Sequence, residues 1–167
     1  VEMMKKILCI GHASYDITFP FAGFPPENSK NRVPEKIECG GGPASNAAYL
    51  LGKWGLDTSF VGLLGNDLYG RKIANEFKGV NVNIDEVEFD DEHETTLSFI
   101  VVNRDNGSRT VFTYRDPIMK LKQPKNIKAD VILVDGQELE ASIKALEDNK
   151  EAISIIDAGS LKEETVI

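Results

Sequence analysis

Apolar residues fall in short runs, and the polar stretches between them carry a helical period. Lys6 to Ile10 is a compact apolar run that stops at Gly11, and it reads as a buried strand. Thr58 to Gly62, Ala129 to Val134 and Ile153 to Ile156 read the same way. Between them, Ala47 to Trp54 and Leu139 to Leu146 predict helices rich in good formers. Asn66-Asp67 caps a third helix through about Lys78, with Leu68, Ile73, Ala74 and Phe77 as its apolar face. This alternation predicts an α/β fold with a largely parallel sheet.

Two segments break the rhythm. Asp16 to Phe24 carries aromatics at Phe19, Phe21 and Phe24. Leu97 to Val102 and Arg109 to Tyr114 flank Asn103-Arg104-Asp105-Asn106-Gly107-Ser108, a hairpin-turn signal. Strands at about 16–39 and 96–115 are expected to form a separate small sheet, and an edge hairpin of the main sheet is the alternative. The charged stretch Asp90-Asp91-Glu92-His93-Glu94 is expected to be a solvated loop.

The run Gly40-Gly41-Gly42-Pro43-Ala44-Ser45-Asn46-Ala47-Ala48 carries the strongest chemical signal. Its glycines and proline are expected to deny the backbone regular structure and to let a ligand approach the main chain. A glycine loop opening a helix gathers unpaired N–H groups at the positive end of the helix dipole. Such a place holds an anion, or charge developing on oxygen. A simple strand-to-helix turn accounts for the same residues, and both readings stay open on local evidence. A phosphate-binding P-loop is excluded, because no Lys followed by Ser or Thr occurs in the run. The dinucleotide fingerprint G-x-G-x-x-G fails at Ser45.

Charge narrows the partners. The 167 residues include 27 acidic and 19 basic side chains, a formal net charge of −8. Nucleic acids and anionic membranes both demand a basic footprint, so neither is an expected partner. No apolar run approaches the length of a membrane span, and no signal peptide is expected ahead of the first strand. Cys9 and Cys39 lack metal-ligand companions and are expected to be reduced thiols of a cytoplasmic protein.

Gly41-Gly42, Asn46, Ala48, Gly55 and Gly65 are spaced as in the N-terminal signature of the PfkB (ribokinase-like) sugar kinases. Gly11 to Asp16, Val61 to Gly70 and Thr95 to Arg115 extend the likeness, so nearly the whole chain resembles the N-terminal half of such a kinase. The resemblance implies a ribokinase-like α/β core with an inserted β-sheet lid over the sugar, and a homodimer through that lid. It implies transfer of the ATP γ-phosphate to a sugar hydroxyl with Mg²⁺, at sites mostly outside this chain. The Gly-Ala-Gly-Asp-type loop that supplies the family's catalytic base does not occur in the sequence, so no catalytic residue is assigned. Leu161 to Ile167 would begin an element that does not finish, the C-terminal part of the fold would be missing, and the chain alone would bind sugar weakly and transfer no phosphate.

For substrate binding, the resemblance singles out Ser14, Asp16, Gly41, Gly42, Asn46, Gln137 and Arg115. Asp16 follows the first strand, and its carboxylate can accept two sugar hydroxyls. Ser14 stands where ribokinase has an asparagine. Asn46 offers a donor and an acceptor, which suits a vicinal diol. Gly41 and Gly42 would let the backbone approach the sugar, Gln137 would face it, and Arg115 would reach a phosphate on a substrate. Alternatives from other classes are a non-catalytic sugar-binding, dimerising module and a kinase of a nucleoside or a sugar phosphate.

Overall fold

A computed structural model describes residues 4–117, 120–122 and 126–159 of the chain. The element expected to begin at Leu161 lies outside them. Four strands form the main sheet: β1 (Ile7–Ile10), β4 (Thr58–Val61), β9 (Val131–Val134) and β10 (Ile153–Ile156), in the order β10-β9-β1-β4 and parallel throughout. Alternation along β1 splits the core. Cys9 packs with Phe60, Phe77, Ala44, Ala48 and Ile73 on the face that carries α1 (Pro43–Lys53) and α2 (Leu68–Gly79). Leu8 and Ile10 pack with Val61, Ile132, Ala141 and Ala145 on the other face, beneath α3 (Leu139–Asp148). Helices on both faces are what an all-parallel sheet requires.

The rings of Phe60 and Phe77 stack with centroids 4.8 Å apart, binding α2 to the sheet. Such a pair adds about 0.5–1.5 kcal/mol beyond the area it buries. Leu68, expected on that apolar face, is 55% exposed. It follows the cap Asp67 and points outward, and Tyr69 takes the inward place by stacking on Tyr15 at 5.1 Å.

The hairpin is not an edge of the main sheet. β2 (Ser14–Phe21), β3 (Ile37–Gly41), β7 (Leu97–Asn103) and β8 (Arg109–Tyr114) form a separate sheet in the order β3-β2-β7-β8. A further short parallel pair joins β5 (Leu63–Gly65) to β6 (Glu88–Asp90).

Three local expectations need correction. Gly40 and Gly41 are not irregular: they complete β3, paired with Tyr15 and Ser14. The cross-strand ladder supplies the order that glycine lacks intrinsically. The helix begins at Pro43 rather than Ala47, because proline is pre-set for a first turn and its missing N–H costs nothing there. The acidic stretch is not wholly solvated, since Asp90 ends β6 and its carboxylate lies 2.9 Å from His93 Nδ1. That contact raises the His93 pKa above its ordinary value, while the Glu92 backbone N–H, with the His93 ring and backbone N–H beside it, lowers that of Asp90.

Candidate functional site

The parallel strands end together, and their carboxyl ends collect the polar groups. β1 runs through Gly11, His12 and Ala13 into β2, so Ser14 and Asp16 rise directly from the sheet edge. Alternation along β2 sends Tyr15 and Ile17 into the core and turns Asp16 to the opposite face. There Ser14 Oγ donates to Asp16 Oδ1 at 2.8 Å.

The registers place Cys39, Asp16, Ser98 and Thr113 side by side across all four strands of the small sheet. The Ser98 and Thr113 hydroxyls lie 3.2 Å apart. One row further from the sheet edge, Thr18 is flanked by Ile37, Ile100 and Val111. The surface beside Asp16 is thus polar at the base of the small sheet and apolar toward its tip.

Gly41 and Gly42 do different work here. A Cβ on Gly41 would lie 2.2 Å from Asp16 Oδ2, so glycine is what leaves room for the carboxylate. Gly42 has φ 101° and passes so close to His12 that a Cβ would meet its carbonyl oxygen at 2.3 Å. Asn46 sits in the first turn of α1, exposed, and lines a cavity of about 350 Å³ with Cys39, Ser45, Tyr49, Glu76 and Phe77. Both Glu76 carboxylate oxygens accept from Gly40 N, at 3.1 and 2.9 Å. Desolvation, with the Asp16 and Glu76 carboxylates nearby, pushes the Cys39 thiol up from its ordinary pKa.

The positive end of α1 is already occupied. Asp135, buried at 6% exposure, accepts from Ala44 N in the first turn of α1 at 3.2 Å. The same carboxylate accepts from His12 N at 2.8 Å and from Gln137 N at 3.0 Å. One internal anion therefore fastens the loop after β1, the start of α1 and the loop after β9. This answers the two readings of the glycine run: it is a strand-to-helix turn whose anion belongs to the chain itself. Asp135 was not assigned a role of its own, because a buried carboxylate leaves no periodic signal. Its place immediately after a strand was the available clue.

Gln137 and Arg115 form a second group. Arg115 Nη1 donates to Gln137 Oε1 at 2.9 Å, and its Nη2 lies 3.5 Å from Glu138 Oε1. Burial pushes the Glu138 carboxyl up to about 6, and the Arg115 guanidinium opposes that rise without cancelling it. The sequence-predicted residues thus form two clusters, Ser14-Asp16-Gly41-Gly42 and Arg115-Gln137, linked through Asp135. The structure gives no direct contact between Asn46 and Asp16.

Asp67 caps α2 by accepting from Gly70 N at 2.8 Å, and it also accepts from Thr95 N at 2.7 Å and Thr95 Oγ1 at 2.8 Å. Gly65 N donates to Thr95 Oγ1 at 2.9 Å. Thr95, at the root of β7, was missed because a lone threonine before a strand has no distinctive pattern. Burial works against the Asp67 charge, yet the Gly70 and Thr95 donors bring its pKa below the ordinary aspartate value.

A parallel sheet whose carboxyl edge gathers hydroxyl, carboxylate and amide groups beside a second sheet is the architecture of a small-molecule-binding α/β domain. The pattern of the pfkB family carbohydrate kinases matches residues 4–159, and the chain belongs to that family. It is similar to a nucleoside kinase of Methanocaldococcus jannaschii, 26% identical over 142 residues, which are 84% of this chain and 47% of that protein. It is also similar to the ketohexokinase of Mus musculus, 26% identical over 148 residues, covering 86% of this chain and 50% of that protein. The fold matches the ribokinase of Arabidopsis thaliana, solved with ribose and ATP, with a TM-score of 0.77 at 22% identity, over 95% of this chain and 55% of that one. The chain spans about half the length of these two curated relatives.

Proposed function

We propose that this chain is the sugar-binding and lid portion of an ATP-dependent carbohydrate kinase. The observation that carries the reading is Asp16: a carboxylate at the carboxyl edge of the sheet, oriented by Ser14 and given room by Gly41. In this reading Asp16 accepts two hydroxyls of the sugar, Asn46 reads a diol and the Gln137 amide faces the ring. The small sheet, with Ser98 and Thr113 beside Asp16, is the lid that excludes water from the transferring phosphoryl group. Such positioning is most of what phosphoryl transfer asks of a protein.

ATP would supply the phosphoryl group, in keeping with the family and the ATP-bound relative, and Mg²⁺ would screen the phosphate charge. The residues described here do not fit an ATP phosphate cradle, because Asp135 fills the α1 N-terminus. Among the described residues no group of three or more His, Cys, Asp or Glu is placed to hold a metal ion. The base that would deprotonate the sugar hydroxyl is assigned to none of the described residues.

The substrate we favour is an uncharged sugar or the ribose of a nucleoside. Arg115, the cation that a phosphorylated sugar would use, is engaged by Gln137 and Glu138. Exposed Phe99 and Phe112, opposed in register on the lid, support self-association through it. No described helix is long and apolar enough to cross a membrane, and we place the protein in the cytoplasm on its family.

Titration calorimetry with fructose and ribose tests the site. Weak binding that Asp16→Asn abolishes is the expected result, with no ADP formed from ATP and sugar. Binding indifferent to Asp16→Asn would overturn the site assignment. Sugar-dependent ADP formation by these 167 residues would overturn the division of labour.

A further inference from the structure

We propose that Arg115 is a positioning residue that fastens the distal edge of the lid to the core, gripping Gln137 and Glu138 at the start of α3. The inference builds on the kinase reading only in naming the small sheet a lid and Gln137 a sugar contact. β8 pairs with β7 alone, and all six of its residues are exposed. The opposite side of the small sheet is well secured: β2 grows directly out of β1, β3 feeds α1, and Tyr15 packs on Tyr69. The root of β7 is held by Asp67. Arg115, the first residue after β8, then reaches across to the loop that follows β9.

Its two acceptors are arranged for it. Glu138 occupies the N-cap position of α3 yet its side chain does not cap that helix, and its carboxylate, 12% exposed, faces Arg115 and also accepts from the Leu121 backbone N–H. The Gln137 backbone N–H is fixed on Asp135, so its side chain leaves the loop in a set direction. With Oε1 accepting from Arg115, the orientation of the Gln137 amide depends on where the lid edge sits. Gly11, His12, Ala13, Leu63 and Thr96 line the small crevice in which Arg115 and Glu138 meet. Closing the lid edge and orienting Gln137 are, on this geometry, one event.

Amide hydrogen exchange on the intact chain tests the proposal without any sugar, so its result is separable from that of the kinase reading. In Arg115→Ala the amides of residues 97–114 exchange about tenfold faster or more, while those of β1, β4 and β9 keep their wild-type rates. Glu138→Gln gives a smaller acceleration confined to the same segment, and Arg115→Lys restores part of the protection. The double variant Arg115→Ala/Glu138→Gln is no faster than Arg115→Ala alone, because one contact is being removed. Lid exchange unchanged in Arg115→Ala overturns the proposal, and so does an acceleration spread equally over β1, β4 and β9, which marks a general loss of stability. In the complete enzyme, Arg115→Ala raises the KM for sugar about tenfold with KM for ATP unmoved, and equal rises in both would overturn the link to Gln137.

Discussion

Replacing Asp135 with asparagine puts the internal anion to the test. The carboxylate holds three backbone donors, His12 N at 2.8 Å, Gln137 N at 3.0 Å and Ala44 N at 3.2 Å. Hydrogen bonds to charged groups contribute about 1.5–3 kcal/mol each. An asparagine oxygen in the Oδ2 position keeps His12 and Ala44 as neutral bonds, each weaker by roughly 1 kcal/mol. Its NH₂ then faces Gln137 N–H, and that part-buried donor loses its Asp135 acceptor at a cost of about 1–3 kcal/mol. Removing a buried charge returns part of this, since desolvation no longer opposes folding. The net expectation is a loss of about 3 kcal/mol, or roughly 6–12 °C in melting temperature for a chain of this size. Thermal melts followed by circular dichroism at neutral pH read it directly. A variant melting within about 1 °C of wild type would refute the claim that one carboxylate organises three loops.

Three other expectations follow from the same geometry. Burial raises Glu138 to about 6, so the folded chain holds its proton more tightly than the unfolded one, and the stability this group lends is lost as pH rises from about 4.5 to 6. Glu138→Gln removes that loss, and its melting point relative to wild type climbs across the window, by the equivalent of about 1–2 kcal/mol at most. A difference that is flat or falls with pH would contradict the burial argument. Asp67→Ala strips the α2 cap and the Thr95 tether and costs about 2 kcal/mol in urea unfolding near neutral pH. Because the Asp67 pKa is lowered in the fold, that difference shrinks as pH falls below the ordinary aspartate range. Gly41→Ala drives a methyl group into the Asp16 carboxylate and weakens sugar binding about tenfold or more, whereas a calorimetric affinity equal to wild type would show that the close approach is dispensable.

Long-range periodicity made the architecture readable. The apolar runs at Ile7, Phe60 and Ile132 had to be buried strands, and their alternation with helices left few arrangements besides a parallel sheet. Asp16 was singled out by its place after the first strand together with the family resemblance, and nothing in its local sequence separates it from Asp135, which follows β9 and serves the fold. The polar row of Ser98 and Thr113 was not, since it exists only once β7 and β8 take their register against β2. The bonds that Asp135 and Glu138 make were not legible for a related reason. Their partners, at Ala44 and Arg115, are 91 and 23 residues away and are brought near only by folding. The glycine run misled locally because glycine is intrinsically poor in strands, and pairing with β2 outweighs that preference.

The two cysteines are unequal in a way that bears on how the protein can be observed. Cys9 lies inside the main sheet, where burial and the nearby Asp135 carboxylate push its thiol up to about 12. Near neutral pH it has almost no thiolate to offer an electrophile. Cys39 is exposed on β3, in register with Asp16. A maleimide or a spin label therefore enters the native protein at one place only, beside the carboxylate on which the proposed sugar site depends. Its own thiol is raised by burial and the nearby carboxylates, so raising the pH speeds its reaction while Cys9 stays protonated until far higher pH. The chain carries a reporter of its own site with no residue changed.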